Sequence, residues 1–233
     1  MVKHEELAAK LKTILGLESE PVAVTLIRDQ MDIPEGYSLP EKNISHCQSI
    51  MRAKKGEMLY LPAEKHGCPV GASSLGLLPI PDKVASGEFH YNIGMFESPE
   101  VAKRMIDQRE ELEPGSVIGT AVAPLRDARV KPDVVIIIGL PEQLYWIVVA
   151  STYRRGGRMT FDTAAFQATC VDSTLIPLRT GRPNLSLGCY GCRRRTDIKP
   201  EEMLASIPFG MVEEIVGVLE KLSTGPIPKA RGG

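Results

Sequence analysis

This sequence predicts a single mixed-sheet domain, α/β or α+β in class, with flanking helices and long Gly/Pro-rich loops. Three observations carry that expectation. The 233 residues are 43% hydrophobic and 24% charged, which is ordinary for a folded chain able to bury roughly 70% of its unfolded surface. Short β-branched runs alternate with segments of 3.6-residue apolar periodicity. Gly (21) and Pro (18) are in excess, and no repeat or linker forces a domain boundary. One globular domain is expected over residues 1–224, with residues 225–233 as a flexible C-terminal tail.

The elements follow in order. Leu7, Leu11, Ile14 and Leu15 recur at the spacing of an amphipathic helix. Residues 21–27 are β-branched enough for a strand, and 31–40 read as loop. Ser45 can cap a short helix carrying Cys47, Ile50 and Met51, stopped by Gly56. Residues 58–61 read as a strand. Pro69 fits the first position of a helix, which places Cys68 at its N-cap. Ser98-Pro99-Glu100 opens another helix. Residues 119–123 and 134–138 read as strands, the second apolar on both faces and therefore central. A helix is expected over 141–154, a short one near 170–178, an extended piece at 184–187 and a last helix over 208–222.

Several function classes are excluded. The 28 basic and 29 acidic residues balance to a net charge of −1, whereas a general nucleic-acid binder carries a cationic surplus. The longest apolar runs, 134–138 and 146–150, are far short of the ~20 residues a spanning helix needs. No export signal opens the chain. Five cysteines are an odd number, which suits reduced thiols in the cytoplasm better than a disulfide framework. Walker A, G-x-G-x-x-G, G-x-S-x-G and H-E-x-x-H motifs are absent. His4 and His90 read as surface or structural residues.

The cysteines carry the chemistry. Cys189-Tyr190-Gly191-Cys192 is a C-x-x-C flanked by Gly188, and Gly188 and Gly191 can supply positive-φ turns that point two sulfurs at one centre. Cys47 and Cys68 stand beside His46 and His66. With Cys189 and Cys192 they make a four-thiolate set for an iron–sulfur cluster, or less favourably for zinc. The bland alternative makes Cys47, Cys68 and Cys170 small buried hydrophobes. A third reading places Cys68 at a helix N-terminus near a charged His66 as a low-pKa nucleophile, with Cys189 and Cys192 as a redox pair. Against it, the C-x-x-C is not expected at a helix start after a strand. Arg193, Arg194 and Arg195 are candidates to hold a cofactor phosphate, an anionic substrate or an acidic partner, or are simply a solvated charge run. Arg154, Arg155 and Arg158 form a second basic loop.

The chain resembles a family catalogued as domain of unknown function 169, found in archaea and in anaerobic or metabolically versatile bacteria. The matching features are Pro21-Val-Ala-Val, His46-Cys47-Gln48, Gly67-Cys68-Pro69 with Ser74-Leu75-Gly76-Leu77, Pro132-Asp133-Val134-Val135 with Gly139 and Pro141, Cys170, the run from Gly181 to Cys189, and Pro208-Phe209. The resemblance spans nearly the whole chain. It implies that Cys47, Cys68, Cys170 and Cys189 are the recurrent cysteines and that Cys192 is less regular, so Cys170 becomes the alternative fourth ligand to Cys192.

The leading expectation is therefore a cysteine-ligated iron–sulfur protein of anaerobic metabolism, its cluster being [4Fe-4S]. It would act in electron transfer or in maturation of a redox enzyme, with a redox partner or a small anionic ligand and with a homo-oligomer allowed. A thiol enzyme and a metal-free small-anion binding module stand as alternatives.

Overall fold

The computed structural model describes residues 2–232. Among them, six strands form one sheet: β1 (Val22–Ile27), β2 (Leu59–Pro62), β3 (Gly119–Pro124), β4 (Val134–Gly139), β5 (Asn184–Ser186) and β6 (Met203–Pro208). Their order is β2-β3-β1-β4-β6-β5, and every pairing between them is antiparallel. The class is α+β, and the mixed sheet expected from the sequence is instead antiparallel throughout. β1 and β4 share only three paired positions, from Val22 opposite Ile136 to Val24 opposite Val134. Beyond them the Asp133 carboxylate continues the ladder by accepting the Leu26 N–H at 2.7 Å.

Helices cover both faces. On one, α1 (Val2–Leu15), α7 (Pro141–Thr152) and α10 (Phe209–Leu222) pack on Ala23, Val135, Ile137, Ala205 and Ile207. On the other, α2 (His46–Ala53) sets Ile50 and Met51 against Val22, Val24, Val134 and Ile136. Farther along that face lie α3 (Pro69–Ser74), a π-helix over Ala168–Leu175, and α8 (Ile176–Thr180), packed on Leu26. An antiparallel sheet with one wet face alternates apolar and polar residues. Here β4 reads Val-Val-Ile-Ile-Ile and is wholly buried, because it lies between β1 and β6 with helices on either side.

The remaining helices are α4 (Asp82–Ala85), α5 (Glu88–Tyr91), α6 (Pro99–Asp107), α9 (Tyr190–Arg195) and α11 (Pro226–Ala230). The tail beyond residue 224 is not frayed across the described residues: Ile227 inserts into the core, and the Arg231 guanidinium donates to the Ile14 and Leu15 carbonyls and pairs with Glu142. Tertiary anchoring overrides the Gly/Pro composition that suggests a loose end. Strand β6 and helices α4 and α5 lie in segments whose patterns gave no expectation. No helix among the described residues is long and apolar enough to cross a membrane.

Candidate functional site

All five cysteines line one cavity of about 270 Å³ on the α2/π-helix side of the sheet. They reach it from four places. Ser45 is the N-cap of α2, and its N–H donates to the Gln48 side chain at 2.9 Å. That fixes the first turn, in which Cys47 Sγ lies 3.0 Å from Ser45 Oγ. Cys68 is the N-cap of α3 and Pro69 its first residue, as expected. Cys189 is the N-cap of α9 and its Sγ accepts the Cys192 N–H at 3.4 Å. Gly188 has φ +81°, the turn that brings the chain from β5 into α9; Gly191 does not adopt a positive φ. The C-x-x-C therefore does sit at a helix start just after a strand, contrary to expectation.

Cys170 is carried by the π-helix, a form rare in proteins and concentrated at functional sites. Two links tie this helix to the sheet. The Asp172 carboxylate accepts from Ser186 Oγ (2.7 Å) and Thr163 Oγ1 (2.9 Å), and the Asn184 amide donates to the Asp172 and Asp162 carbonyls. Burial raises the Asp172 carboxyl to about 7 despite those donors. Gln167, just before the π-helix, has φ +72°, a strained setting for a residue with a Cβ.

The sulfurs feel one another. Cys47, Cys189 and Cys192 pack together with Ala168, and Cys189 Sγ is 3.2 Å from Cys192 Sγ. Burial pushes the Cys170 thiol well up, reinforced by Cys68, Cys189 and Cys192. The Cys192 bond with Cys189 lowers its thiol, but Cys47 and burial outweigh that and carry it up to about 12. The hydrogen bond with Cys192 and then burial raise Cys189. Burial raises Cys68 as well. His66 is held neutral by burial, lowered to about 4. A low-pKa Cys68 thiolate beside an imidazolium, the premise of the nucleophile reading, is not what this environment favours.

The histidine tautomers follow from their bonds. Thr174 Oγ1 gives its proton to the Thr169 carbonyl (2.7 Å), so it accepts from His46 Nε2 at 3.2 Å. His46 Nδ1 is then an unprotonated acceptor with no partner, in a ring that burial and then His66 lower to about 3. His66 Nδ1 accepts the Cys68 N–H, which leaves an Nε2–H that also lacks a partner. His90 has neither ring nitrogen partnered, and Gln167 Nε2 is likewise free. All four residues line the cavity. Buried polar atoms without partners are uncommon in native proteins, and four such residues around one cavity single it out as the candidate site.

The arginines divide. Arg194 and Arg195 line the cavity. Arg193 is instead a strut, donating to the Leu187, Lys199, Pro200 and Glu202 carbonyls. The second basic loop does not reach the site, and its Arg154 pairs with Glu214. Among the described residues, no Asp or Glu lines the cavity. Among the described residues, no three His, Cys, Asp or Glu side chains are arranged to hold a metal ion.

A family model described as uncharacterised ArCR, the DUF169 family, matches residues 10–217. The chain belongs to the DUF169 family. An uncharacterised protein of Methanocaldococcus jannaschii is 33% identical over 217 residues, covering 92% of this chain and 93% of that protein. No solved structure matches the chain. In this DUF169 protein the residues that sequence reasoning passed over are His90, Phe166 and Gln167. His90 is fully buried in the cavity wall and not at the surface. Its only sequence signal was the apolar company of Phe89 and Ile93 around a lone histidine.

Proposed function

We propose that this protein holds an iron–sulfur cluster in the cysteine-lined cavity and serves electron transfer or maturation of a redox enzyme. One observation supports the reading above the rest: every cysteine of the chain, drawn from segments 145 residues apart in sequence at their extremes (Cys47 to Cys192), lines the same cavity. Thiols that repel each other's charged forms, as Cys68, Cys170, Cys189 and Cys192 do, are stabilised as thiolates by soft cations. Five thiols lining one cavity offer more soft ligands than a lone zinc ion takes. Cys47, Cys68 and Cys189 are the proposed core ligands. Cys192 Sγ, at 3.2 Å from Cys189 Sγ, is too close to its neighbour to occupy a separate corner of a cubane without moving. Cys170, from the π-helix, is therefore the fourth ligand in this reading. Reduced thiols of this kind belong in the cytoplasm.

The test is a visible spectrum with iron, sulfide and zinc assays on protein purified without oxygen. A broad reducible band near ~400 nm with about four irons and four sulfides per chain is expected. Colourless protein, or iron content unchanged by alanine at Cys47, Cys68 or Cys189, overturns the reading.

The Cys189–Cys192 contact favours a second reading, a dithiol–disulfide couple. The pair would give two electrons and two protons to a two-electron acceptor and close an S–S bond. Turnover of a disulfide reductant assay lost in Cys192→Ser, with no iron in the wild type, would support it over the cluster.

A further inference from the structure

One wall of the cavity is not sulfur. The His90 and Phe166 rings meet edge to face at 4.5 Å between centroids. Phe166 continues to the Tyr190 ring at 6.0 Å, and the Arg194 guanidinium lies 5.9 Å over Tyr190. Phe89 and Ile93 extend the same wall. A continuous aromatic face thus ends in a cation. Beside it, Gln167 is only 5% exposed, its Nε2 has no partner, and its backbone is held in the left-handed region to place it there. Arg195 makes one long contact, to the Gly67 carbonyl at 3.5 Å. Neither Arg194 nor Arg195 has a carboxylate partner among the described residues.

We infer that this half of the cavity binds a small organic monocarboxylate with an apolar body, the body against Phe89, Ile93 and Phe166 and the carboxylate toward Gln167 and the two guanidinium groups. A carboxylate offers only acceptors, which is what an unpartnered amide N–H and paired arginine forks require. An inorganic oxyanion would leave the aromatic face without contact, and a neutral ring would leave the cations without a partner. The cavity, at about 270 Å³, lies at the small end of ligand sites, which limits the body to about one ring or a short chain. The inference deepens the cluster reading, on which it rests for what the anion would meet across the cavity but not for its binding.

Sodium benzoate is the probe, titrated calorimetrically into the full chain purified without oxygen, with iron measured on the same sample. Saturation at one benzoate per chain is expected, with benzyl alcohol and inorganic phosphate each at least tenfold weaker. The double variant Arg194→Gln, Arg195→Gln alters exposed side chains and should weaken benzoate at least tenfold. Gln167→Glu, which opposes the ligand with a second carboxylate, should abolish binding. Absence of saturable benzoate heat overturns the inference, as does equal binding of benzyl alcohol or phosphate, or an undiminished arginine double variant. Normal iron without benzoate binding leaves the cluster and removes the carboxylate. Benzoate binding to iron-free wild-type protein does the reverse.

Discussion

Cys189 Sγ and Cys192 Sγ lie 3.2 Å apart at the first turn of α9, a thiol–thiol contact that needs about one ångström of closure to become a bond. Both thiols are raised and therefore protonated at neutral pH, so oxidation is slow but directed. Iron-free protein exposed to air should form this single disulfide. The five free cysteines, counted by thiol titration after unfolding, should fall to three, while Cys192→Ala keeps its remaining four. Five thiols persisting through prolonged aeration would show that the contact does not close.

Cys170 and Cys192 compete as fourth ligand, and their positions separate them. Cys192 shares its contacts with Cys47 and Cys189, whereas Cys170 approaches from the π-helix on the His66 and Gly71 side. Cys170→Ser is expected to lower iron by more than half and to shift or bleach the visible band. Cys192→Ser should retain most of both. The opposite ranking would return Cys192 to the ligand set.

His90 makes stability sensitive to acid. Burial, with Arg109 adding to it, lowers this imidazole to about 4 from an ordinary value near 6.5. Between those values the unfolded chain binds a proton that the folded chain does not, so stability is full above about pH 6.5 and falls as pH drops toward 4. The contribution is on the order of 2 kcal/mol. His90→Phe keeps a flat ring against Phe166 and removes the titration. Urea midpoints measured from pH 7.5 to 4.5 should fall less steeply in the variant than in the wild type; parallel curves would refute a neutral buried His90.

Gly87 holds the aromatic wall in place. It has φ +82°, and a Cβ there would clash with the Pro99 carbonyl oxygen and stand 2.6 Å from the Lys103 nitrogen, both main-chain atoms of α6. Gly87→Ala must therefore push α5, with Phe89 and His90, away from α6. A loss of about 2 kcal/mol or more in unfolding free energy is expected, with benzoate affinity falling and iron content held. Unchanged stability would mean that the α5–α6 junction relaxes freely.

The parts of this fold governed by local rules were readable beforehand. Ser45 and Ser98 cap α2 and α6, Pro69 opens α3 behind Cys68, and the apolar run of β4 announces a strand buried on both faces. Harder to read was the π-helix around Cys170, where a short ordinary helix was expected. Its form is imposed by Asp172, Ser186, Thr163 and Asn184, which are partners distant in sequence. Strand β6 went unread because Met-Leu-Ala-Ser-Ile-Pro has neither strict alternation nor a β-branched run. It becomes a strand by pairing on both sides, with β4 and β5.

The cysteines themselves, their number, the turn glycine before Cys189 and the helix starts at Ser45 and Cys68 are properties of neighbouring residues, and neighbouring residues determine them. That Cys47, Cys68, Cys170, Cys189 and Cys192 line one cavity was decided by the sheet order β2-β3-β1-β4-β6-β5 and the packing of α2, α3, α9 and the π-helix at one end of it. The same packing turned His90 and Gln167 inward without partners and drew Arg193 away to hold carbonyls. No local rule reaches that far: capping and periodicity act over one or two turns, whereas convergence depends on which apolar faces bury one another.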